Sequence, residues 1–308
     1  MRSIKRILVA TDFSEHAQFA VTRAIELANI NHASLTILHV AKKGFLEKMI
    51  GKVVPVVGKV LITPEEYAVS LLKKQINISQ KNKIKINFAI LSGEHPAPKI
   101  LKYANDHGYH LLVLGAHGKY AIHDWFVGTT AEYAAKKTRM PVLIVKNAPK
   151  KPYQNILVPI DFSALSKDTV RFADQFFPKS NLHLLHVGDH HYENFLNNSE
   201  DIPKEKLKEI RDAILFSLSE KTKNFIKSSG VKLKNNSPDI KMGYPGSVIV
   251  DEAKKRHEDI VVMGTEGHSA RHYLFIGRVA NLVLMEIDRD ILLVPPKNKG
   301  KKLKKRKK

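Results

Sequence analysis

HLLVLGAHGKYAIHDWFVGTTAEYAAKKTRMPVLIVK, residues 110–146, is the stretch on which the fold turns. Leu111 to Leu114 form an apolar run too short for a helix, which predicts a buried parallel strand. Gly115 and Gly118 follow, then nine residues lead to Gly128, Thr129 and Thr130. A helical segment and a second apolar strand from Pro141 to Val145 close the stretch. A strand that ends in glycines and leads to a glycine–hydroxyl helix start presents backbone N–H groups suited to a phosphate.

The same pattern occurs twice. KRILVATDFSEHA (5–17) matches QNILVPIDFSALS (154–166), SLTILHV (34–40) matches NLHLLHV (181–187), and LLVLGAHG (111–118) matches IVVMGTEG (260–267). Asp12 and Asp161, Gly115 and Gly264, Gly118 and Gly267, and Gly128 and Gly277 are each 149 residues apart. Coincident offsets across a domain length mark a duplicated domain. The expected organisation is a first domain over 1–146, a linker over 147–155, a second domain over 156–296 and a disordered polybasic tail over 297–308.

Within the first copy, strands are expected near 6–11, 34–40, 84–91, 110–115 and 141–146. Helices are expected near 14–30, 64–82, 96–107 and 129–138. Ala17, Val21, Ala24, Ile25 and Ala28 share one helical face. Thr63-Pro64-Glu65-Glu66 has a capping-box pattern with proline at the first helical position. The second copy repeats this order, with its second helix around 204–228. Alternating strands and helices predict an α/β fold: two tandem Rossmann-like domains, each with a five-stranded, parallel, doubly wound sheet. Ligands of such sheets bind beyond the carboxyl ends of the strands, where the strand order reverses. If strands one and four flank that point, Asp12 and the 115–118 glycines meet across one crevice, bordered by the end of strand two at His39-Val40.

The formal net charge of +21 is unevenly spread. Residues 1–146 hold 21 Lys and Arg against 10 Asp and Glu, whereas 153–296 hold 19 against 20. Residues 297–308 add nine positive charges around a single apolar residue. With no cysteine, disulfides, thiolate metal sites and cysteine nucleophiles are excluded. The N-terminal apolar run is four residues long and no stretch offers about 18 uncharged apolar residues, so neither a signal peptide nor a membrane span is expected. The expected location is the cytoplasm.

Both copies resemble universal stress protein (Usp) domains of the ATP-binding type. The resemblance rests on LVATDFS, on LHV of strand two, on G-x2-G-x9-G-[ST] as Gly115, Gly118, Gly128 and Thr129, and on PVLIV, and it covers residues 1–296. It implies an adenine nucleotide alpha-hydrolase-like fold and an adenine nucleotide, ATP with Mg2+ in attendance, as ligand. By position it implies that Asp12, after Thr11, approaches the adenosine and that Val40 meets adenine through its backbone. Gly115, Gly118, Gly128, Thr129 and Thr130 would hold ribose and phosphates. Ala10 stands where the family often has proline.

The second copy departs from the pattern. Its equivalents are Asp161, Val187, Gly264, Gly267 and Gly277, but Arg278 replaces the hydroxyl residue and Ile160 replaces the threonine. Arg278 either reaches a phosphate or fills the pocket. The reading preferred from sequence is a degenerate copy retained to pair with the first. Neither copy carries a Walker A or dinucleotide-binding glycine pattern, and Lys119 lacks the following Ser/Thr of a phosphate loop.

Weaker signals lie elsewhere. His183, Asp189, His186, His190, His191 and Glu193 cluster in sequence, but His183 and His186, three apart on a strand, face opposite sides. No metal site is assigned. His117 and His123 border the proposed phosphate site. Residues 45–62 are unusually apolar for a connection, which suits a flap or interface more than a membrane surface. Three functional classes stand at this level. They are a stress-response nucleotide binder whose copies pair within the chain or further as a homodimer, a slow ATPase or phosphoryl-transfer enzyme, and an adaptor holding nucleic acid or anionic membrane through 297–308. No catalytic residue is assigned.

Overall fold

A computed structural model describes residues 4–41, 69–70, 84–118, 127–189, 202–233, 238–267 and 276–296. The apolar segment 45–62, Lys119, His123, the loop histidines 190 and 191, Glu193 and the basic tail lie outside them. Of the helix expected near 64–82, only residues 69 and 70 are described, and both are helical.

The first copy runs β1 (Arg6–Thr11), α1 (Glu15–Asn31), β2 (Ser34–Ala41), β3 (Ile86–Ser92), α2 (Pro96–Asp106), β4 (Leu111–Gly115), α3 (Thr129–Lys137) and β5 (Val142–Val145). The second runs β6 (Asn155–Ile160), α4 (Ala164–Phe176), β7 (Asn181–Asp189), α5 (Lys204–Ser229), β8 (Asp239–Gly243), α6 (Pro245–Lys255), β9 (Ile260–Gly264), α7 (Arg278–Glu286) and β10 (Asp290–Val294). Within each copy all strands pair in parallel, and strand one lies between strands two and four. The switch point therefore falls where the sequence placed it.

Helix α1 illustrates the local logic. Ser14 caps it by accepting from the Ala17 N–H, and His32 ends it in the left-handed region. Its buried face carries Ala20, Val21, Ala24, Leu27 and Ala28, with Ile25 packed at the margin. Small residues let the helix lie close over β1 and β4.

The two sheets are one. Strand β5 pairs antiparallel with β10, Ile144 opposite Ile291 and Leu143 opposite Leu292, giving a ten-stranded sheet of order β3-β2-β1-β4-β5-β10-β9-β6-β7-β8. β5 is apolar on both faces, as is β10 after Asp290, and every residue of each is buried. Left unpaired, either would be an exposed hydrophobic edge. Each fully buried Val, Leu or Ile contributes about 1.5–3 kcal/mol, so closing the joint is strongly favourable. Core layers on both faces run through both copies, α1 and α4 on one side, α3 and α7 on the other. Because the joint is antiparallel, the carboxyl ends of the two sets of strands point to opposite ends of the sheet.

Polar contacts pin this joint. Asp290, 1% exposed, accepts from the backbone N–H of Lys146 (2.8 Å) and Asn147 (3.1 Å) and from the Tyr153 hydroxyl. The Tyr153 ring is buried under the Arg23 guanidinium (3.8 Å to the ring centre), and Arg23 also pairs with Glu26 (2.7 Å) and donates to the Lys151 carbonyl (3.0 Å). The Lys146 ammonium donates to the carbonyls of Leu284 (2.9 Å) and Ile287 (2.6 Å), at the end of α7. The segment 147–155 is thus held at several points along its length.

Asp290→Ala strands the buried Tyr153 hydroxyl and removes the acceptor of the Lys146 and Asn147 N–H groups. We expect a loss of about 3–5 kcal/mol in chemical denaturation, against less than half of that for Asp290→Asn. Burial lowers Lys146 to about 8, against the favourable pull of Asp288 and Asp290. Between that value and the unfolded lysine range the unfolded chain holds a proton that the folded chain has released, so this group's contribution to stability rises with pH. Melting temperatures of wild type and Lys146→Met should therefore diverge in favour of wild type as pH rises from about 8 towards 10.

Candidate functional site

At the end of β1 the chain reverses sharply. His39, on the neighbouring strand β2, donates from Nδ1 to the carbonyl of Thr11 (2.8 Å), and the Thr11 hydroxyl accepts from the Phe13 N–H (3.1 Å). Phe13 adopts a left-handed backbone (φ 66°), a conformation costing about 1–3 kcal/mol for a side chain of this kind. Its ring packs on His39 at 4.6 Å. Asp12 is fixed by accepting from the Ser14 N–H (3.0 Å) and hydroxyl (2.6 Å). The turn thus aims Asp12 across the crevice while Ser14 starts α1.

The opposite wall comes from β4 and α3. A Cβ on Gly115 would stand 2.7 Å from the His16 carbonyl and 2.9 Å from the Ala17 nitrogen. One on Gly118 would stand 2.8 Å from Asp12 Oδ2, and one on Gly128 3.1 Å from the Ala116 carbonyl. Gly115 is therefore demanded by the protein's own backbone, before any ligand enters, while Gly118 and Gly128 sit in tight contact with Asp12 and the Ala116 carbonyl. Gly128 donates its N–H to the Ala116 carbonyl (2.6 Å) and is the N-cap of α3, with no side-chain cap. Thr129 and Thr130 do not cap their own helix. The first intrahelical bond runs from Glu132 to Gly128, so the N–H groups of Thr129, Thr130 and Ala131 face the crevice end without an intrahelical acceptor. They give that end a positive partial charge.

Thr11, Asp12, Val40, Gly115, Gly118, Gly128, Thr129 and Thr130 all line one crevice with about 660 Å³ of open space. His117 lines it too, its ring edge-on to His16 at 4.8 Å. Unforeseen from sequence are the apolar wall of Pro96 and Ile100, from the first turns of α2, and the Phe13–His39 support. The signal was available: Pro96 and Ile100 recur as Pro245 and Ile249 at the 149-residue offset, and DF and LHV occur in both copies.

The second copy rebuilds the same frame. Phe162 is left-handed (φ 65°), His186 donates from Nδ1 to the Ile160 carbonyl (2.9 Å), and Asp161 accepts from the Ser163 N–H (2.9 Å). Burial lowers the pKa of His186. Gly277 donates to the Thr265 carbonyl (2.6 Å) and N-caps α7. Asp161, Val187, Gly264, Gly267, Gly277 and Arg278 line a crevice with about 910 Å³ of open space, larger than the first. Arg278 is exposed and does not fill it. Glu266 stands where the first copy has His117, and burial raises its carboxyl pKa.

The strand histidines serve other partners. His183 meets the buried Glu258 carboxylate (2.5 Å), while His186 holds the end of β6. No group of three or more metal-ligating side chains occurs among the described residues. No helix among them is long and apolar enough to cross a membrane.

A model described as the universal stress protein family matches residues 3–146 and 152–295. Universal stress protein MJ0577 of Methanocaldococcus jannaschii is 29% identical over 155 residues, spanning 46% of this chain and 94% of its own. Universal stress protein YxiE of Bacillus subtilis is 26% identical over 146 residues, 46% of this chain and 98% of its own. A solved universal stress protein from Archaeoglobus fulgidus covers 96% of this chain and 99% of its own at TM-score 0.63 and 17% identity, a likeness of fold. With a family match on each copy, the chain belongs to the universal stress protein family, as a tandem of two such domains.

Proposed function

We propose that the protein is a stress-response nucleotide binder whose first-copy crevice holds ATP or another adenine nucleotide. The observation that carries this is the convergence of donors and walls at one end of the sheet. Three N–H groups without intrahelical acceptors and two threonine hydroxyls lie at the start of α3. Asp12 stands opposite, and Val40, Pro96 and Ile100 supply an apolar surface for a flat base. Helix N-termini of this kind favour anionic phosphates, and an aspartate accepts from ribose hydroxyls.

Among the described lining residues Asp12 is the sole carboxylate, too little to hold Mg2+ without phosphate oxygens. Mg2+ would arrive with the nucleotide. The assignment is binding rather than turnover: the crevice offers helix-start donors, hydroxyls and one carboxylate that suit holding a nucleotide, and no residue in it is assigned as a catalytic base. Phosphate release above background that disappears in Asp12→Ala would move the assignment to a hydrolase.

Gly118→Leu drives a side chain into Asp12 and the crevice. Calorimetric titration of ATP should show at least a tenfold loss of affinity, roughly the removal of one charge-assisted contact, with the fold retained by circular dichroism. Thr129→Arg, which imports the second copy's residue, should retain measurable ATP binding, since the N–H groups of α3 remain. Undiminished ATP affinity in a folded Gly118→Leu chain would contradict the proposed site.

A further inference from the structure

We infer that the end of the sheet where the first copy's strands begin is a docking surface for single-stranded nucleic acid. This surface lies at the end away from the first-copy crevice and does not depend on what that crevice holds.

The hydrogen-bond register lines up the strand starts. Leu8 stands opposite Thr36 and Leu112, Leu35 opposite Ile86, Leu112 opposite Val142, and Val142 opposite Leu293. At the start of these rows the chain places exposed cations: Lys85 ahead of β3, Lys5 and Arg6 at β1, and Lys137 and Arg139 ahead of β5. Strand β10 runs the other way and ends at Val294 on this side. Residues 297–308, with nine positive charges, therefore follow two prolines from the same end. From β3 to β10 the row crosses five strand spacings, about 24 Å at about 4.8 Å each. Among the described residues between the last helical turns and the strand starts here, Asp106 is the sole acid, and Lys102 pairs with it (2.6 Å).

The fold does not call for this charge. The second copy has the same order of strands and helices, yet at the 149-residue offset Lys5, Arg6, Lys137 and Arg139 become Gln154, Asn155, Glu286 and Asp288. Tyr109 and His110 become Glu258 and Asp259. One frame thus carries a basic end in one copy and an acidic end in the other.

Charge alone would suit any polyanion; flat rings among the cations favour a nucleic acid. The Arg6 guanidinium lies over the Tyr109 ring (5.0 Å), Tyr109 stacks against Tyr103 (6.0 Å between ring centres), and Tyr103 stacks against His107 (4.0 Å). Nδ1 of His107 donates to the Tyr103 carbonyl (3.0 Å), which holds the ring in place. Tyr109 is buried and His107 is exposed, so the column runs outward from Arg6 to an open ring. The unpaired bases of a single strand stack on such rings without regard to sequence, while cations beside them follow the phosphates. A lipid headgroup surface uses the cations but has no base to stack.

The test is fluorescence anisotropy of a labelled single-stranded oligouridine, titrated with the full-length chain at several salt concentrations. The triple substitution Lys5→Gln, Lys85→Gln and Arg139→Gln should reduce the slope of log K against log salt by about 2, since three phosphate contacts at about 0.7 each are lost. His107→Ala should weaken binding by about fivefold or more and leave that slope unchanged. All four side chains are exposed, so the variants should keep the fold by circular dichroism. A chain ending at Pro296 should bind more weakly and still respond to both sets of substitutions. A slope unchanged in the triple variant, affinity unchanged by His107→Ala, or complete loss of binding on ending the chain at Pro296 overturns the proposal. So does a preference for phosphatidylserine vesicles over the oligouridine that depends on the same three cations, which would make the surface a membrane contact.

Discussion

The approach of Gly115 to the backbone of His16 and Ala17 sets the geometry of everything around it. At 2.7 Å from the place where a side chain would begin, the start of α1 lies against the end of β4 more closely than any other residue permits. The turn that joins β1 to α1 puts Phe13 in the left-handed region and is held by His39 on the carbonyl of Thr11. Asp12, at its apex, is thereby brought against Gly118. The crevice is a consequence of backbone packing, and its ligand chemistry is added by what the turn and α3 present.

The joint between copies rests on different physics. Two short strands, apolar on both faces but for Asp290 at the start of β10, satisfy each other's hydrogen bonds and remove each other's exposed edge. Around them lies a buried polar network of Arg23, Glu26, Tyr153 and Asp290 that has no counterpart under the internal symmetry, since Phe172 and Gln175 stand at the positions equivalent to Arg23 and Glu26. Helix α1 carries both Ser14 at the crevice end and Arg23 at the joint, so the first copy's site and the contact with the second copy share one rigid element. The crevices themselves open at opposite ends of the sheet.

Much of this was legible in the residues. The 149-residue offset gave the duplication, the apolar runs gave the strands, and the switch point brought Asp12, Val40 and the glycines to one place. The glycines were legible in position but not wholly in cause: read as a phosphate cradle, Gly115 is first required by the backbone of His16 and Ala17. Asp290 could not be read as a joint residue, because its partners Lys146, Asn147 and Tyr153 lie more than 130 positions away in a segment with the composition of a linker. Pairing of β5 with β10 was equally hidden, since two apolar strands carry no mark of which edge each will meet. Arg278 shows the limit of a motif: a mismatch to the family pattern says which group is missing and nothing about whether the space remains.

The two crevices differ at the helix start, with Thr129 and Thr130 in one and Arg278 and Val279 in the other. They share a common frame, down to the paired left-handed phenylalanines. The most direct measurement is native mass spectrometry of freshly purified full-length protein, followed by identification of the small molecules released on denaturation. The account predicts an adenine nucleotide bound to the folded chain. Folded protein free of any nucleotide, with no rise in melting temperature on adding ATP or AMP, would contradict it.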